Sequence, residues 1–309
     1  MEKVRIAIAH WGAGIAPVFA GVEGGYFRAE GLDAELVPIL GHPSAMRALI
    51  AGEVEFTNSV GPELILANRR HGGDGVVIAS AIGRSAQQVS ARPGLRTRDD
   101  LRGRRWGVVA RNDADEGSIV MAFERWGWDP AKDAEIVVVG TDGPRLDRLL
   151  DAARVDVAIM HAPEPFQAAK RGWQVVEDLG RLDVAFQNSC AATTRRVAAA
   201  RPETVQRYVR AYARAVYRFR TDAEFGIATL AKYTGEPDRG VLADTWVLFA
   251  RLMGGMMFPS LEGMRNASHV LHRLGAIPEP VAPESVVDLG PVAALERDGF
   301  FATFMGKPA

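Results

Sequence analysis

A stretch of this chain comes round again 101 residues later. Val54-Glu55-Phe56 followed by Gly61-Pro62-Glu63 is echoed by Val155-Asp156-Val157 followed by Ala162-Pro163-Glu164. The correspondence runs on through Ala67 with Ala168 and Arg70 with Arg171. In each copy a leucine-bearing helix leads into a short strand, and a Pro-Glu pair opens the next helix. Proline suits the first helical position and acidic residues suit the first turn, so βα units resemble one another to some degree. The other reading is architectural: two lobes of similar build, with equivalent loops facing each other across a cleft.

The rest of the pattern fits such lobes. Apolar runs predict strands at residues 4–9, 32–39, 54–58 and 76–81, with helices at 15–28 and 43–51 and from residue 61 between them. An extended segment at 84–91, before Pro93 and Gly94, marks the passage into the second lobe. There the alternation resumes, with strands at 105–110, 134–139 and 155–160 and helices at 116–126, 144–151 and 163–171. Residues 175–177 and 184–189 look like closing strands. Strands and helices alternating at this spacing predict mostly parallel α/β sheets. From Pro202 the chain turns helical, at 202–220, 223–232 and 241–252 and once or twice between 261 and 274. This tail is expected to pack back on the first lobe. The expected division is 1–88 for lobe one, 89–190 for lobe two, and 191–309 for the return to lobe one with the helical region.

Charge narrows the partners. Lys and Arg total 37 against 38 for Asp and Glu, a net charge of -1, so there is no global attraction to nucleic acid. No apolar run approaches the roughly 20 residues a spanning helix needs. Cys190 is the single cysteine, which excludes an intramolecular disulfide and a multi-cysteine metal cluster. Met1-Glu2-Lys3 leads into a strand by Val4 with no secretion signal, so the sequence as given reads as cytoplasmic, or as periplasmic if an export signal has been removed. Oligomeric state is not legible.

In open α/β sheets ligands bind at the carboxyl ends of strands. The loops at residues 10–14, 41–44, 59–62, 111–117, 140–143 and 161–164 therefore draw attention, several of them entering helices whose unpaired N–H groups can hold an anionic oxygen. Ser44, Ser59 and Asn112 add donors or acceptors. Trp11 suits stacking on a planar ligand, or packing as structural cover. Asp113, Asp115, Glu116 and Glu164 can receive an amine or cap helix starts; Arg47, Arg84 and Arg111 can pair with an anion or with a neighbouring carboxylate. His10, His42 and His161 all follow expected strands. With Asp113 or Glu164 they could hold a zinc-like ion or move protons, although none of the three stands in an HxxH or HExxH spacing. Glycine-rich segments at 10–14 and 140–143 complete neither a dinucleotide nor a phosphate-loop motif, so no cofactor is expected.

Three segments carry a family resemblance: Gly24-Gly25-Tyr26-Phe27-Arg28-Ala29-Glu30-Gly31-Leu32-Asp33-Ala34-Glu35-Leu36, Ala48-Leu49-Ile50-Ala51-Gly52-Glu53-Val54-Glu55-Phe56 and Leu101-Arg102-Gly103-Arg104-Arg105-Trp106-Gly107-Val108. In this order they resemble the nitrate/sulfonate/taurine-type solute-binding proteins, related to thiamine-pyrimidine-precursor binding proteins. The resemblance implies a periplasmic-binding-protein type 2 fold, a two-lobed venus flytrap with the second lobe inserted into the first. It maps ligand contacts onto Trp11, His42, Ser44, Ser59, Asn112 and His161, to which the loop argument adds His10, Asp113 and Glu164. The implied function is capture of a small polar or aromatic molecule for uptake through an ABC permease. Similar folds also occur in enzymes, which here would draw on His10, His42, His161, Asp113 and Glu164 as acid and base. A cytosolic ligand sensor on the same fold is the third reading.

Overall fold

The computed structural model describes residues 1–111, 114–140, 144–151, 153–182 and 184–305. Asn112 and Asp113 lie outside the described residues. Ten strands form: β1 Glu2–Ile8, β2 Leu32–Pro38, β3 Phe56–Ser59, β4 Gly75–Ser80, β5 Gln88–Ala91, β6 Arg104–Val108, β7 Ala134–Val138, β8 Val157–Met160, β9 Gln174–Asp178 and β10 Cys190–Thr194. They make two five-stranded sheets, ordered β2-β1-β3-β10-β4 and β7-β6-β8-β5-β9. Each has three parallel strands followed by an antiparallel fourth that the other half of the chain supplies. This is the periplasmic-binding-protein type 2 arrangement, with helices covering both sheets and a helical C-terminal region.

The sequence echo is a structural equivalence. β3 and β8 are the third strands of their sheets and start 101 residues apart, at Phe56 and Val157. Just before each, the same device ties strand three to strand one. Arg5 N–H donates to the Glu55 carboxylate at 2.7 Å, and Arg105 N–H donates to Asp156 at 3.2 Å. Both arginine side chains close an ion pair with the same carboxylate. Even the irregularities match. The ladder on the far side of the fourth strand shifts register between Ala191 and Ala192 in one sheet and between Val89 and Ser90 in the other.

Side-chain alternation along the strands fills layers on both faces. In β1, Ile6 and Ile8 join a core with Phe19, Tyr208 and Phe219, while Ala7 faces Leu49, Leu64 and Met264 on the other side. In β8, Val157 and Ile159 pack with Trp106 and Phe123, and Ala158 and Met160 with Leu149 and Trp173. The long helix Pro202–Thr221 lies on the first lobe, where Tyr208 stacks on Phe56 at 3.9 Å.

Two expectations need correction. The helix expected over 15–28 is two, Ala16–Glu23 and Tyr26–Ala29, because Gly25 takes a left-handed conformation with φ 67° between them. The strand expected at 184–189 is instead a crossing segment between lobes, and the strand proper is β10 just beyond it. In that crossing, Phe186 N–H donates to the Gly83 carbonyl at 3.1 Å and Asn188 N–H to Ile82 at 3.0 Å. Two antiparallel connecting segments therefore run side by side between the lobes.

Candidate ligand-binding site

Between the sheets lies a cleft of about 530 Å³. Its walls are the segments that follow the parallel strands of both lobes. After β1 come His10 and Trp11, after β2 Gly41 and His42, and from β3 onward Asn58, Val60 and Glu63. The second lobe answers with Val109 after β6, Asp115 in the helix Ala114–Trp126, Arg145 after β7, and His161 to Glu164 after β8. Ala86, Asn188 and Ser189 of the connecting segments close one side. The cleft thus sits at the carboxyl ends of both sheets, where open α/β folds bind ligands.

Glu63 apart, the first-lobe polar groups that line the cleft are uncharged. Gly12 N–H donates to His10 Nδ1 at 3.0 Å, so Nδ1 carries no proton and the neutral ring presents Nε2–H as its donor. Glycine is required at residue 12, since a Cβ there would meet His10 Nδ1 at 2.6 Å. The His42 ring packs edge-on against His10 with centroids 5.2 Å apart, and its Nδ1 has no hydrogen-bond partner among the described residues. Burial, with the His42, His161 and Arg145 charges nearby, lowers the His10 pKa to about 3. Burial and His161 lower that of His42 to about 4. Both rings are neutral at physiological pH. Trp11, 40% exposed, stacks on Phe19 at 5.8 Å and on Tyr233 at 6.1 Å. Asn58 donates to the Gly14 carbonyl at 3.0 Å and accepts from Tyr212 Oη at 3.2 Å, which locks its amide.

The second lobe brings charges in a chain. His161 Nε2 lies 2.5 Å from Asp115 Oδ1, and Arg145 donates to Asp115 Oδ2 at 2.9 Å. The same nitrogen donates to the Ile159 carbonyl at 3.1 Å, and the other terminal nitrogen reaches Glu164. Glu164 also accepts from the His161 backbone N–H at 3.2 Å. Burial by itself would raise the Asp115 carboxyl, but His161 and Arg145 outweigh it and hold the pKa at about 2. Asp115 is therefore ionised and acceptor-only, which places the shared proton on His161 Nε2 and leaves Nδ1 for the cleft.

Of the residues the sequence nominated, His10, Trp11, His42, Asp115, His161 and Glu164 come together in this cleft. Ser44 and Ser59 do not line it. Ser44 is half-buried on the helix His42–Ala51. Ser59 is fully buried, its hydroxyl 3.1 Å from Met46 Sδ, because alternation along β3 turns it away from the face that carries Asn58. The three histidines share the cleft, but among the described residues no group of three His, Cys, Asp or Glu side chains could hold a metal ion. Cys190 is buried, its thiol pushed well above its ordinary pKa by burial and donating to the Ser59 carbonyl at 3.2 Å. Such a thiol is no nucleophile. Arg111 is paired with Glu116 at 2.8 Å. Sequence reasoning missed Asn58, Arg145 and Ser189. Asn58 and Ser189 carry only a weak signal, each being a polar residue at the end of an apolar run; Arg145 carries none.

No helix among the described residues is long and apolar enough to cross a membrane. No curated protein matches the sequence. Among solved structures, the periplasmic aliphatic sulphonate binding protein SsuA from Escherichia coli superposes with a TM-score of 0.77 at 17% identity, over 93% of this chain and 92% of that one. The alkanesulfonate-binding protein SsuA from Xanthomonas axonopodis pv. citri, bound to MOPS, gives 0.74 at 16% identity, over 94% and 99%. DSZB in complex with biphenyl-2-sulfinic acid gives 0.67 at 17% identity, over 96% and 99%. At such identities the likeness is one of fold. A family model described as NMT1/THI5 like matches residues 13–222, more than half of the sequence, and this chain belongs to the NMT1/THI5-like family.

Proposed function

We propose that this protein is a solute-binding component of an ABC-type import system, capturing one small organic molecule between its lobes. The observation that carries the reading is the cleft itself. At about 530 Å³ it has the size of a small-molecule site, and its walls come from both lobes, so a ligand there bridges them. The family, and the import and sulfonate-binding roles named for several structural neighbours, point the same way. His10, Trp11, His42, Asn58, His161 and Glu164 are the side chains assigned to the ligand, with Asp115 and Arg145 holding His161 and Glu164 in place. In this role the partner is an ABC permease.

A second reading, a small-molecule enzyme, is favoured by one observation. An ionised, buried Asp115 orienting His161 at 2.5 Å is the arrangement a general base needs. One experiment separates the two. The molecule retained by freshly purified protein is released, identified and returned to ligand-free protein. The import reading expects reversible one-to-one binding in calorimetry and recovery of the same molecule after long incubation. Conversion of the molecule into a product would overturn it in favour of the enzyme. Stimulation of a cognate permease's ATPase by the loaded protein would separate import from a sensing role.

A further inference from the structure

The connecting segments close one side of the cleft, and the polar side chains on that side differ in what they leave open. Asn58 and Ser189 are committed to each other and to the protein. The Asn58 amide nitrogen donates to the Gly14 carbonyl at 3.0 Å and to Ser189 Oγ at 3.3 Å, and its oxygen accepts from Tyr212 at 3.2 Å. The Ser189 hydroxyl donates to the same Gly14 carbonyl at 2.6 Å. Asn188 is different. It lines the cleft at 6% exposure, and its Oδ1 has no partner among the described residues.

The orientation of that amide is set from the other connecting segment. Gln87 is fully buried there, and its Oε1 accepts from the Ala86 backbone N–H at 3.0 Å. A backbone N–H can only donate, so this contact identifies which end of the Gln87 amide is oxygen. Ser85 Oγ donates to the same oxygen at 2.6 Å. Across the gap the Asn188 amide meets Gln87 Oε1 at 3.3 Å and must present its nitrogen, because two carbonyl oxygens would repel. Oδ1 is thereby the end without a partner. The Asn188 backbone N–H is tied to the Ile82 carbonyl at 3.0 Å, so main chain and side chain are both held by the neighbouring segment. An enclosed carbonyl oxygen with no donor is costly, and a ligand that brings a donor removes the cost. From the first lobe, His10 offers the complement, its Nε2–H.

We propose that Asn188 sets the specificity of the cleft by accepting a hydrogen bond from the ligand, so that the site selects a molecule bearing an N–H or O–H group over the same body without one. The proposal rests on the solute-binding reading and adds Asn188 to the side chains that touch the ligand. Gln87 is a positioning residue, which holds the Asn188 amide and does not line the cleft.

The test uses two pairs of probes, benzamide with acetophenone and nicotinamide with 3-acetylpyridine, titrated into ligand-free full-length protein by calorimetry at neutral pH. Within each pair the ring and the carbonyl acceptor are the same, and a methyl group of similar size replaces the donating NH2. Tighter binding of the amide by about tenfold or more is expected, because the ketone leaves Asn188 Oδ1 enclosed and unpaired. In Asn188→Leu, which removes the acceptor at similar volume, the preference should move toward the ketone by about tenfold. A merely structural role for Asn188 would weaken both members of a pair alike. If Asn188→Leu does not fold, as read by urea unfolding, Asn188→Ala carries the same comparison. Equal or tighter binding of the ketones to the wild-type protein overturns the proposal and leaves the solute-binding reading standing. An unchanged preference in the variant does the same, as does identification of the molecule retained on purification as one with no N–H or O–H group. If no probe binds at about 10 mM, a weak limit on the affinity scale, the proposal fails; if in addition no molecule is retained on purification, the solute-binding reading fails with it.

Discussion

Asp115, His161, Arg145 and Glu164 form a chain in which each member depends on its neighbour. Arg145 satisfies two carboxylates, of which Asp115 is almost wholly enclosed. Arg145→Ala strands that buried charge and should cost roughly 3 kcal/mol, as measured by urea unfolding, the lower part of the range for broken buried pairs because the guanidinium is partly solvated. A loss below about 0.5 kcal/mol would mean that the pair is a surface contact. The paired histidines give a pH signature. Folding depresses the His10 and His42 pKa values to about 3 and about 4, so between there and the unfolded value near 6.5 the unfolded chain binds the extra protons. Stability should therefore be complete above pH 6.5 and fall as the pH drops toward 4, by up to about 1.4 kcal/mol per pH unit for each ring. His42→Gln should flatten that slope; an unchanged slope would show that His42 is not held neutral.

At the scale of elements, the echo was legible because it has a cause in the chain. Strand three of each sheet is preceded by a carboxylate that holds strand one and followed by a helix with a proline in or beside its first turn, and these features stand 101 positions apart. The helix start at Gly61 is also constrained from outside its own sequence. Gly61 N–H donates to the Gln187 carbonyl at 2.8 Å, and a Cβ at residue 61 would meet Met264 Sδ at 2.7 Å. Gly61→Ala should cost about 1–3 kcal/mol in denaturant unfolding, the usual penalty of overpacking. What the sequence hid was set by distant partners. β10, Cys-Ala-Ala-Thr-Thr, has little of the bulk that marks a strand, and forms because β3 and β4 leave a gap between them. The sequence nominates Ser59 and passes over Asn58, which ends the expected strand; the pleat of β3 decides which of them reaches the cleft, and it is Asn58.

For the whole molecule, the lobes are joined by more than the two connecting segments. Lys170 pairs with Asp238, Gln167 with Glu236, Arg251 with Asp178 at 2.5 Å, and Arg273 with Glu124, each contact linking a second-lobe element to the C-terminal helices. The helical tail, expected to pack on the first lobe, therefore touches the second as well. The three ion pairs among them are individually weak and screened by salt. Raising the salt from about 0.05 M to 1 M, where the Debye length falls to about 3 Å, should enlarge the radius of gyration of the ligand-free protein in small-angle scattering. An invariant radius would assign closure to the connecting segments alone.

The central claim is that the two lobes close on a small molecule, and the echo supplies the positions for testing it. Arg70 and Arg171 occupy equivalent places on the two lobes and are exposed, and the native Cys190 is buried beyond the reach of labelling reagents. Spin labels on Arg70→Cys and Arg171→Cys report the interlobe distance by pulsed electron resonance. Adding the molecule released from purified protein to the ligand-free labelled protein should collapse the distance distribution to one shorter, narrower population. The same distribution with and without the molecule would contradict the account.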